Sequence, residues 1–127
     1  MAAKRPRLLI VEDDPGLQSQ LKWSFEAYEV DVVSDRESAL SYVRRHEPPV
    51  VTLDLGLPPD PANASEGLAA LREILALAPD TKVIVVTGND DRDKAITAVG
   101  LGAYDFYQKP IDPDELGLIV ERAYGLH

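Results

Sequence analysis

The stretch that decides the fold is LLIVEDDPG, residues 8–16, in which an apolar run ends in Glu12, Asp13 and Asp14. Consecutive apolar residues, many of them β-branched or Leu, are typical of a strand buried on both faces, because a half-buried strand would alternate. Pro15 then stands where proline can open a helix. Two like charges about 4 Å apart repel by roughly 4 kcal/mol at an effective dielectric constant near 20. An acidic group at the end of a buried strand therefore needs a physical explanation.

Short apolar runs and helical patterns alternate along the rest of the chain. Predicted strands span residues 8–11, 30–33, 50–53, 83–86 and 104–108, and predicted helices begin near residues 15, 35, 65, 91 and 113. Five strands alternating with five helices predict an α/β fold built on a doubly wound parallel sheet, since right-handed crossovers make this topology economical. The run at 83–86 is the most apolar and is predicted to be the central strand.

The sequence also predicts the capping residues of three helices and the packed side of the first helix. Ser34 and Glu37 have the S-x-x-E spacing of a capping box, and Ser65 is predicted to be an N-cap. Asp112, with a proline at the next position, is predicted to cap the last helix. Trp23 is assigned to the packed side of the first helix together with Leu21.

The amino-acid composition limits the classes of function that the protein can have. The 127 residues, 45% hydrophobic and 28% charged, predict one globular domain over residues 1–127. No apolar run is long enough for a membrane span, so no membrane partner is expected. A net charge of −9 disfavours direct nucleic-acid binding by this domain and is compatible with binding a divalent cation. The absence of cysteine fits a cytoplasmic location.

Polar residues follow four of the predicted strands. Glu12 and Asp13 come after the first strand, Asp54 after the third, Thr87 after the fourth and Lys109 after the fifth. In an open parallel sheet, ligands bind outside the carboxyl ends of the strands. Carboxylates at that edge favour Mg²⁺, and a hydroxyl and an ammonium beside them suit the oxygens of a phosphoryl group. The pattern therefore predicts a carboxylate nucleophile, a Mg²⁺ ion and two stabilising donors.

These residues, within the motifs VEDD, LDLGLP, VVTG and QKP, make the chain resemble the receiver domain of two-component response regulators over nearly all its length. The resemblance implies a flavodoxin-like fold in which Asp54 is the phosphoacceptor. It implies that Asp13, Asp54 and the Gly56 carbonyl ligate Mg²⁺ directly, with Glu12 acting through water. Thr87 and Lys109 would bind the acyl-phosphate oxygens.

The resemblance also implies how such a domain would signal. Phe106 stands at the aromatic switch position and would act with Thr87, although it lacks the hydroxyl of the tyrosine often found there. The domain would be a phosphoacceptor with slow autodephosphorylation rather than an enzyme. Its partner would be a sensor histidine kinase, and phosphorylation would change the face made by the fourth helix, fifth strand and fifth helix, promoting a homodimer. The Lys109–Pro110 bond is expected to be cis.

Longer stretches, LDLGLPPDPANASEG and GLGAYDFYQKPID, resemble receivers of NtrC-like transcription activators, in particular those tied to PEP-CTERM and exopolysaccharide systems. The output domain, belonging to the same or a separate chain, is expected to lie outside these 127 residues. One departure from the resemblance is the loop from Pro58 to Gly67, which is longer than usual in receivers and is expected to form a lip beside Asp54.

Three alternatives belong to other functional classes. A phosphatase of the haloacid dehalogenase type would need a second aspartate two residues after the nucleophile, where this chain has Gly56. A nucleotide-binding module would need phosphate-binding glycines after Val11, and neither G-x-G-x-x-G nor a Walker motif is present there. A degenerate receiver that only binds proteins would not need the complete set of five site residues.

Overall fold

The computed structural model describes residues 5–58, 64–88 and 92–125. Its strands are β1 (Arg7–Val11), β2 (Glu29–Val33), β3 (Val50–Asp54), β4 (Lys82–Thr87) and β5 (Asp105–Gln108). Its helices are α1 (Pro15–Ser24), α2 (Arg36–His46), α3 (Ser65–Leu77), α4 (Arg92–Gly100) and α5 (Pro113–Ala123). The predicted alternation of strands and helices is confirmed, with bounds that differ by one or two residues.

The strands form one parallel sheet in the order β2-β1-β3-β4-β5. The predicted doubly wound α/β fold is therefore confirmed. The central strand is β3, however, and not the strand at 83–86, which lies one place further along as β4. Both strands have neighbours on each side and are apolar for that reason, so apolarity alone does not distinguish the middle strand from the one beside it.

Two apolar layers cover the sheet. Residues such as Leu9, Leu53 and Val85 pack against α2, α3 and α4 on one face. Residues such as Ile10 and Ile84 pack against α1 and α5 on the other face. Because side chains alternate along a strand, this division fixes which residues of β4 and β5 look towards α4 and which towards α5. The carboxyl ends of β1, β3, β4 and β5 are left free to carry the polar residues.

Two predicted helix starts are wrong by one residue. Asp35, not Ser34, caps α2, and its carboxylate accepts from the Ser38 amide at 2.8 Å. An acid is also the better partner for the positive end of the helix dipole. Ser65 is the first residue of α3 and not its N-cap, because the chain enters the helix through Ala64 in the left-handed region.

Trp23 is 75% exposed, so the prediction that it packs inside is also wrong. The buried side of α1 is set by Leu21, and Phe25 follows it one turn later. A residue two positions after Leu21 lies about 200° around the helix and points outward. In the described part of the chain, no helix is both long and apolar enough to cross a membrane.

Candidate functional site

Three carboxylates meet where β1 and β3 end. Glu12, Asp13 and Asp54 each offer an oxygen, and these oxygens lie within 4.8 Å of one another. Glu12 and Asp54 are buried, whereas Asp13 is exposed. The parallel pairing of β1 with β3 brings the two strand ends side by side, as predicted from the sequence. Such close like charges are stable together only if a cation or a proton offsets them.

Hydrogen bonds from the backbone orient two of the three acids. The Asp14 amide donates to Glu12 Oε2 at 3.1 Å, and the Gly56 amide donates to Asp54 Oδ1 at 3.0 Å. Burial is the largest cause that raises the pKa of Glu12, and the neighbouring Asp54 carboxylate raises it as well. The Asp14 amide and Lys109 lower it, and the net result is a pKa of about 7. Without a metal ion, this acid therefore holds its proton up to near neutral pH.

Lys109 supplies the positive charge of the site. Its Nζ lies 3.5 Å from Glu12 Oε1 and 3.5 Å from Asp54 Oδ2. Burial opposes the charge of the ammonium, but Asp54 and Glu12 outweigh it, and the pKa of Lys109 is raised. The Lys109 amide donates to the Thr87 carbonyl at 2.8 Å, which anchors the backbone from which the side chain extends. The Lys109–Pro110 bond is cis, as predicted.

The Thr87 hydroxyl is buried and has no hydrogen-bond partner among the described residues. Leaving a buried hydroxyl unpaired is unfavourable by about 1–3 kcal/mol, so such groups are rare unless a ligand completes them. Thr87 ends β4, between the strands that carry Asp54 and Lys109. Its oxygen is thus a free donor at the edge of the sheet where the carboxylates and the ammonium meet.

The backbone next to Asp54 is pressed against α3. A Cβ atom placed on Gly67 would lie 2.4 Å from both Leu55 Cα and Leu55 O. Only glycine permits this approach, which holds the first turn of α3 against the segment joining Asp54 to Gly56. Gly67 therefore helps to fix the position of the backbone that carries two of the predicted metal ligands, Asp54 and the Gly56 carbonyl.

The sequence profile of the response regulator receiver domain matches residues 8–121. The chain belongs to the response regulator receiver domain family. Among curated proteins, it is 33% identical to the regulatory protein AtoC of Escherichia coli K12 over 94% of this chain and 25% of AtoC. It is 31% identical to the chemotaxis protein CheY of Listeria monocytogenes over 92% of this chain and 97% of CheY.

A solved receiver structure also resembles this chain in both sequence and fold. The signal receiver domain of a putative LuxO repressor protein from Vibrio parahaemolyticus superimposes with a TM-score of 0.84 at 32% identity, covering 95% of this chain and 91% of that one. The receiver domain spans about a quarter of the length of AtoC and of its homologues among the NtrC-like regulators.

The acidic group of this receiver domain fits Mg²⁺. Hard oxygen ligands from one or two carboxylates, leaving room for water and phosphate oxygens, are what this ion prefers. The exposed Asp13 and the buried Asp54 offer such oxygens, and the buried Glu12 stands behind them. Glu12, Asp13, Asp54 and Lys109 are brought together as predicted, and Gly56 contacts Asp54 through its amide.

Phe106 lies on the sheet face that looks towards α4. In the register of β4 with β5 it pairs with Val85, two residues before Thr87, so Phe106 and Thr87 share that face. The ring is 38% exposed and is therefore not packed into the core in this structure. The aromatic side chain predicted for the switch therefore lies partly exposed on the same sheet face as Thr87.

Two contacts near the site were not predicted from the sequence. The Gln18 side chain donates to the Glu12 carbonyl and, at 3.0 Å, to Ser34 Oγ, which ties the end of β1 to the end of β2. The Tyr107 hydroxyl bonds to the segment after Lys109. Neither contact leaves a sequence signal, because each joins elements whose proximity depends on the folded sheet.

Proposed function

We propose that Asp54 of this receiver domain accepts a phosphoryl group from the phosphohistidine of a sensor histidine kinase. The observation that carries the proposal is the unpartnered Thr87 hydroxyl at the same sheet edge as the carboxylate cluster and Lys109. A nucleophile, cation ligands and donors for the phosphoryl oxygens are thereby present together.

The reaction transfers the phosphoryl group intact from the histidine to Asp54. An oxygen of the Asp54 carboxylate forms a bond to phosphorus, the bond from phosphorus to the histidine nitrogen breaks, and the imidazole leaves with the electron pair. The product on this chain is an acyl phosphate. Water would later attack phosphorus, the bond from phosphorus to the Asp54 oxygen would break, and inorganic phosphate would leave as the carboxylate is regenerated. Slow autodephosphorylation without turnover of an external substrate is therefore expected. The domain is thus a phosphoacceptor rather than an enzyme.

Asp13, Asp54 and the Gly56 carbonyl would hold Mg²⁺, with Glu12 acting through water. When bound, the ion supplies positive charge to the phosphoryl oxygens and cancels the repulsion among the carboxylates. Asp13 is exposed and can receive the ion from solvent, whereas Glu12 is buried behind the cluster. The exposure of Asp13 supports direct ligation by this residue, and the indirect role of Glu12 rests on the resemblance to receiver domains.

Lys109 and Thr87 would bind the oxygens of the acyl phosphate. Lys109 is already 3.5 Å from Asp54 Oδ2, and its ammonium is the donor best matched to charge on the transferred group. Thr87 would donate its free hydroxyl to a second oxygen. The phosphoryl group would thus give the Thr87 hydroxyl a hydrogen bond that none of the residues described by the structure provides.

Movement of Thr87 towards the phosphoryl group would vacate space on the α4 face, which the Phe106 ring would fill. The surface made by α4, β5 and α5 would then change. Ile96, Val99 and Phe106 expose apolar area on that surface, and Arg92 and Asp105 lie on the same elements. A second copy of the domain, or an output domain, would bind the changed surface.

The biological setting follows from the relatives and from the quoted sequence stretches. AtoC and DctD are much longer than this chain, which covers 25% of each, and their length supports control of a transcriptional output domain on the same or a separate chain. The resemblance to receivers of PEP-CTERM and exopolysaccharide systems supports an output of that kind. Residues 1–127 would form the single receiver unit, working in the cytoplasm with its kinase.

The test is phosphorylation by a small phosphodonor. Wild-type protein incubated with phosphoramidate and Mg²⁺ should gain the mass of one phosphoryl group, and chelation of Mg²⁺ should suppress the gain. Asp54→Ala should show no gain and should remain folded by circular dichroism. A phosphorylated Asp54→Ala variant would refute the assignment of the acceptor.

A further inference from the structure

Tyr107 connects β5 to the start of α5 across the segment that carries Lys109. Its ring packs on the α5 side of the sheet, on the face opposite to Phe106. Its hydroxyl accepts from the Asp112 amide at 2.9 Å and donates to Glu115 Oε2 at 3.0 Å. One side chain therefore spans residues 109–112, entering from the strand before them and ending on the helix after them.

The two hydrogen bonds of the Tyr107 hydroxyl take the place of one bond of a capping box at the start of α5. Asp112 is the N-cap of α5, and Glu115 is the third helical residue, which in a capping box would accept directly from the N-cap amide. Here the Tyr107 hydroxyl lies between the Asp112 amide and the Glu115 carboxylate and is hydrogen-bonded to both. The turn is thereby held by a group that belongs to β5.

The segment is anchored at both ends. At its start, the Lys109 amide donates to the Thr87 carbonyl at 2.8 Å. At its end, the Asp112 amide is held by Tyr107. Between these anchors lies the backbone whose course decides where the Lys109 ammonium points, 3.5 Å from Asp54 Oδ2.

We infer that Tyr107 is a positioning residue for Lys109, and that its hydroxyl closes the turn which directs the ammonium at the phosphoryl-accepting carboxylate. The inference rests on the proposed function of Asp54 and Lys109. It adds to that function a residue whose ring packs on the α5 side of the sheet, whereas Phe106 and Thr87 lie on the side of α4. The effect of Tyr107 on the rate would pass through Lys109.

The experiment compares rates of acyl-phosphate formation from phosphoramidate and Mg²⁺. Tyr107→Phe keeps the ring and removes both hydrogen bonds of the hydroxyl, and should lower the rate by about three- to tenfold. Its Mg²⁺ affinity should stay within about twofold of wild type. In a Lys109→Gln background the same substitution should change the rate by less than about twofold. Tyr107 acts by positioning the Lys109 ammonium, so its loss has little further effect once the ammonium is absent.

Tyr28→Phe is the matched control. Tyr28 packs against the same apolar layer as Tyr107 but lies against Tyr124, away from residues 109–112. Its substitution should leave the rate unchanged. An equal loss in Tyr28→Phe, or a loss in Tyr107→Phe that persists fully in the Lys109→Gln background, would overturn the inference in favour of a general effect on packing.

A second readout separates this inference from the proposed function. The NMR signal of the Lys109 Cε should shift in Tyr107→Phe and not in Tyr28→Phe, without any phosphodonor. An unchanged Lys109 signal would overturn the positioning role, whatever the labelling shows. Absence of acyl phosphate in wild type, with the Lys109 signal still shifted in Tyr107→Phe, would refute the proposed function and leave the positioning role supported.

Discussion

Replacing Gly67 by alanine should strain the contact that fixes the backbone beside Asp54. The added Cβ would meet Leu55 Cα and Leu55 O at 2.4 Å and Leu55 C at 2.7 Å. Favourable carbon contacts begin at about 3.5 Å, so α3 and the Leu55 segment must separate by about 1 Å. The obstacle is backbone and cannot rotate away as a flexible side chain would.

The magnitude follows from two opposing effects. Overpacking of a tight contact destabilises by about 1–3 kcal/mol. Alanine is the better helix former by up to about 1 kcal/mol, which offsets part of the loss. We expect Gly67→Ala to lower the free energy of unfolding by about 1–2 kcal/mol. It should also weaken Mg²⁺ binding, because Leu55 lies between Asp54 and Gly56.

The assay is urea denaturation followed by circular dichroism, with Gly100→Ala as the matched control. Gly100 also lies in a helix, and a Cβ there would meet nothing within 4 Å. The control should therefore equal or exceed wild type in stability. A Gly67→Ala variant as stable as Gly100→Ala, with unchanged Mg²⁺ affinity, would refute the reasoning.

The acidic cluster and the switch give three further predictions. Asp13→Asn should raise stability without metal by less than about 1 kcal/mol, since it removes one repelling charge, and should abolish stabilisation by Mg²⁺ in thermal melts. Because the pKa of Glu12 is raised to about 7 in the fold, its contribution to stability is present at low pH and is lost as pH rises through 7. In chelator, wild type should therefore lose about 1–2 kcal/mol between pH 5 and 8 in urea titrations, and Glu12→Gln should lose less. Beryllofluoride with Mg²⁺ should alter hydrogen exchange across α4 and β5, and Thr87→Ala should weaken that change.

A specific result would contradict each of these three predictions. A less stable Asp13→Asn protein in chelator would show that repulsion does not dominate the cluster. The same pH dependence in Glu12→Gln as in wild type would assign the titration to another group. Identical exchange of α4 and β5 with and without saturating beryllofluoride would exclude the switch, even with Asp54 as acceptor.

The sequence was sufficient for the sheet and for the residues at its edge. Alternating apolar runs predict parallel strands, and the carboxyl ends of such strands meet, so Glu12, Asp54 and Lys109 could be placed together before their distances were known. The resemblance to receivers supplied the cis Lys109–Pro110 bond, which spacing alone does not indicate. The central strand was misassigned because β3 and β4 are both interior strands, so the greater apolarity of β4 did not identify the middle one.

Contacts between distant elements could not be predicted. Ser34 and Asp35 are both good caps, and only the entry angle of the chain selects Asp35. The approach of Gly67 to Leu55 and the bonds of Tyr107 depend on how α3 and α5 dock on the sheet. Sequence patterns specify which face a residue occupies, but not the few tenths of an ångström that decide these contacts.

The most direct test of the central claim is chemical mapping of the phosphorylated residue. Borohydride reduces an acyl phosphate of aspartate to homoserine, which leaves a mass change at that position in a peptide spectrum. After treatment with phosphoramidate and Mg²⁺, we predict homoserine at position 54, and none when Mg²⁺ is chelated. Homoserine at position 13, or a phosphorylated protein with an unreduced Asp54, would contradict the account.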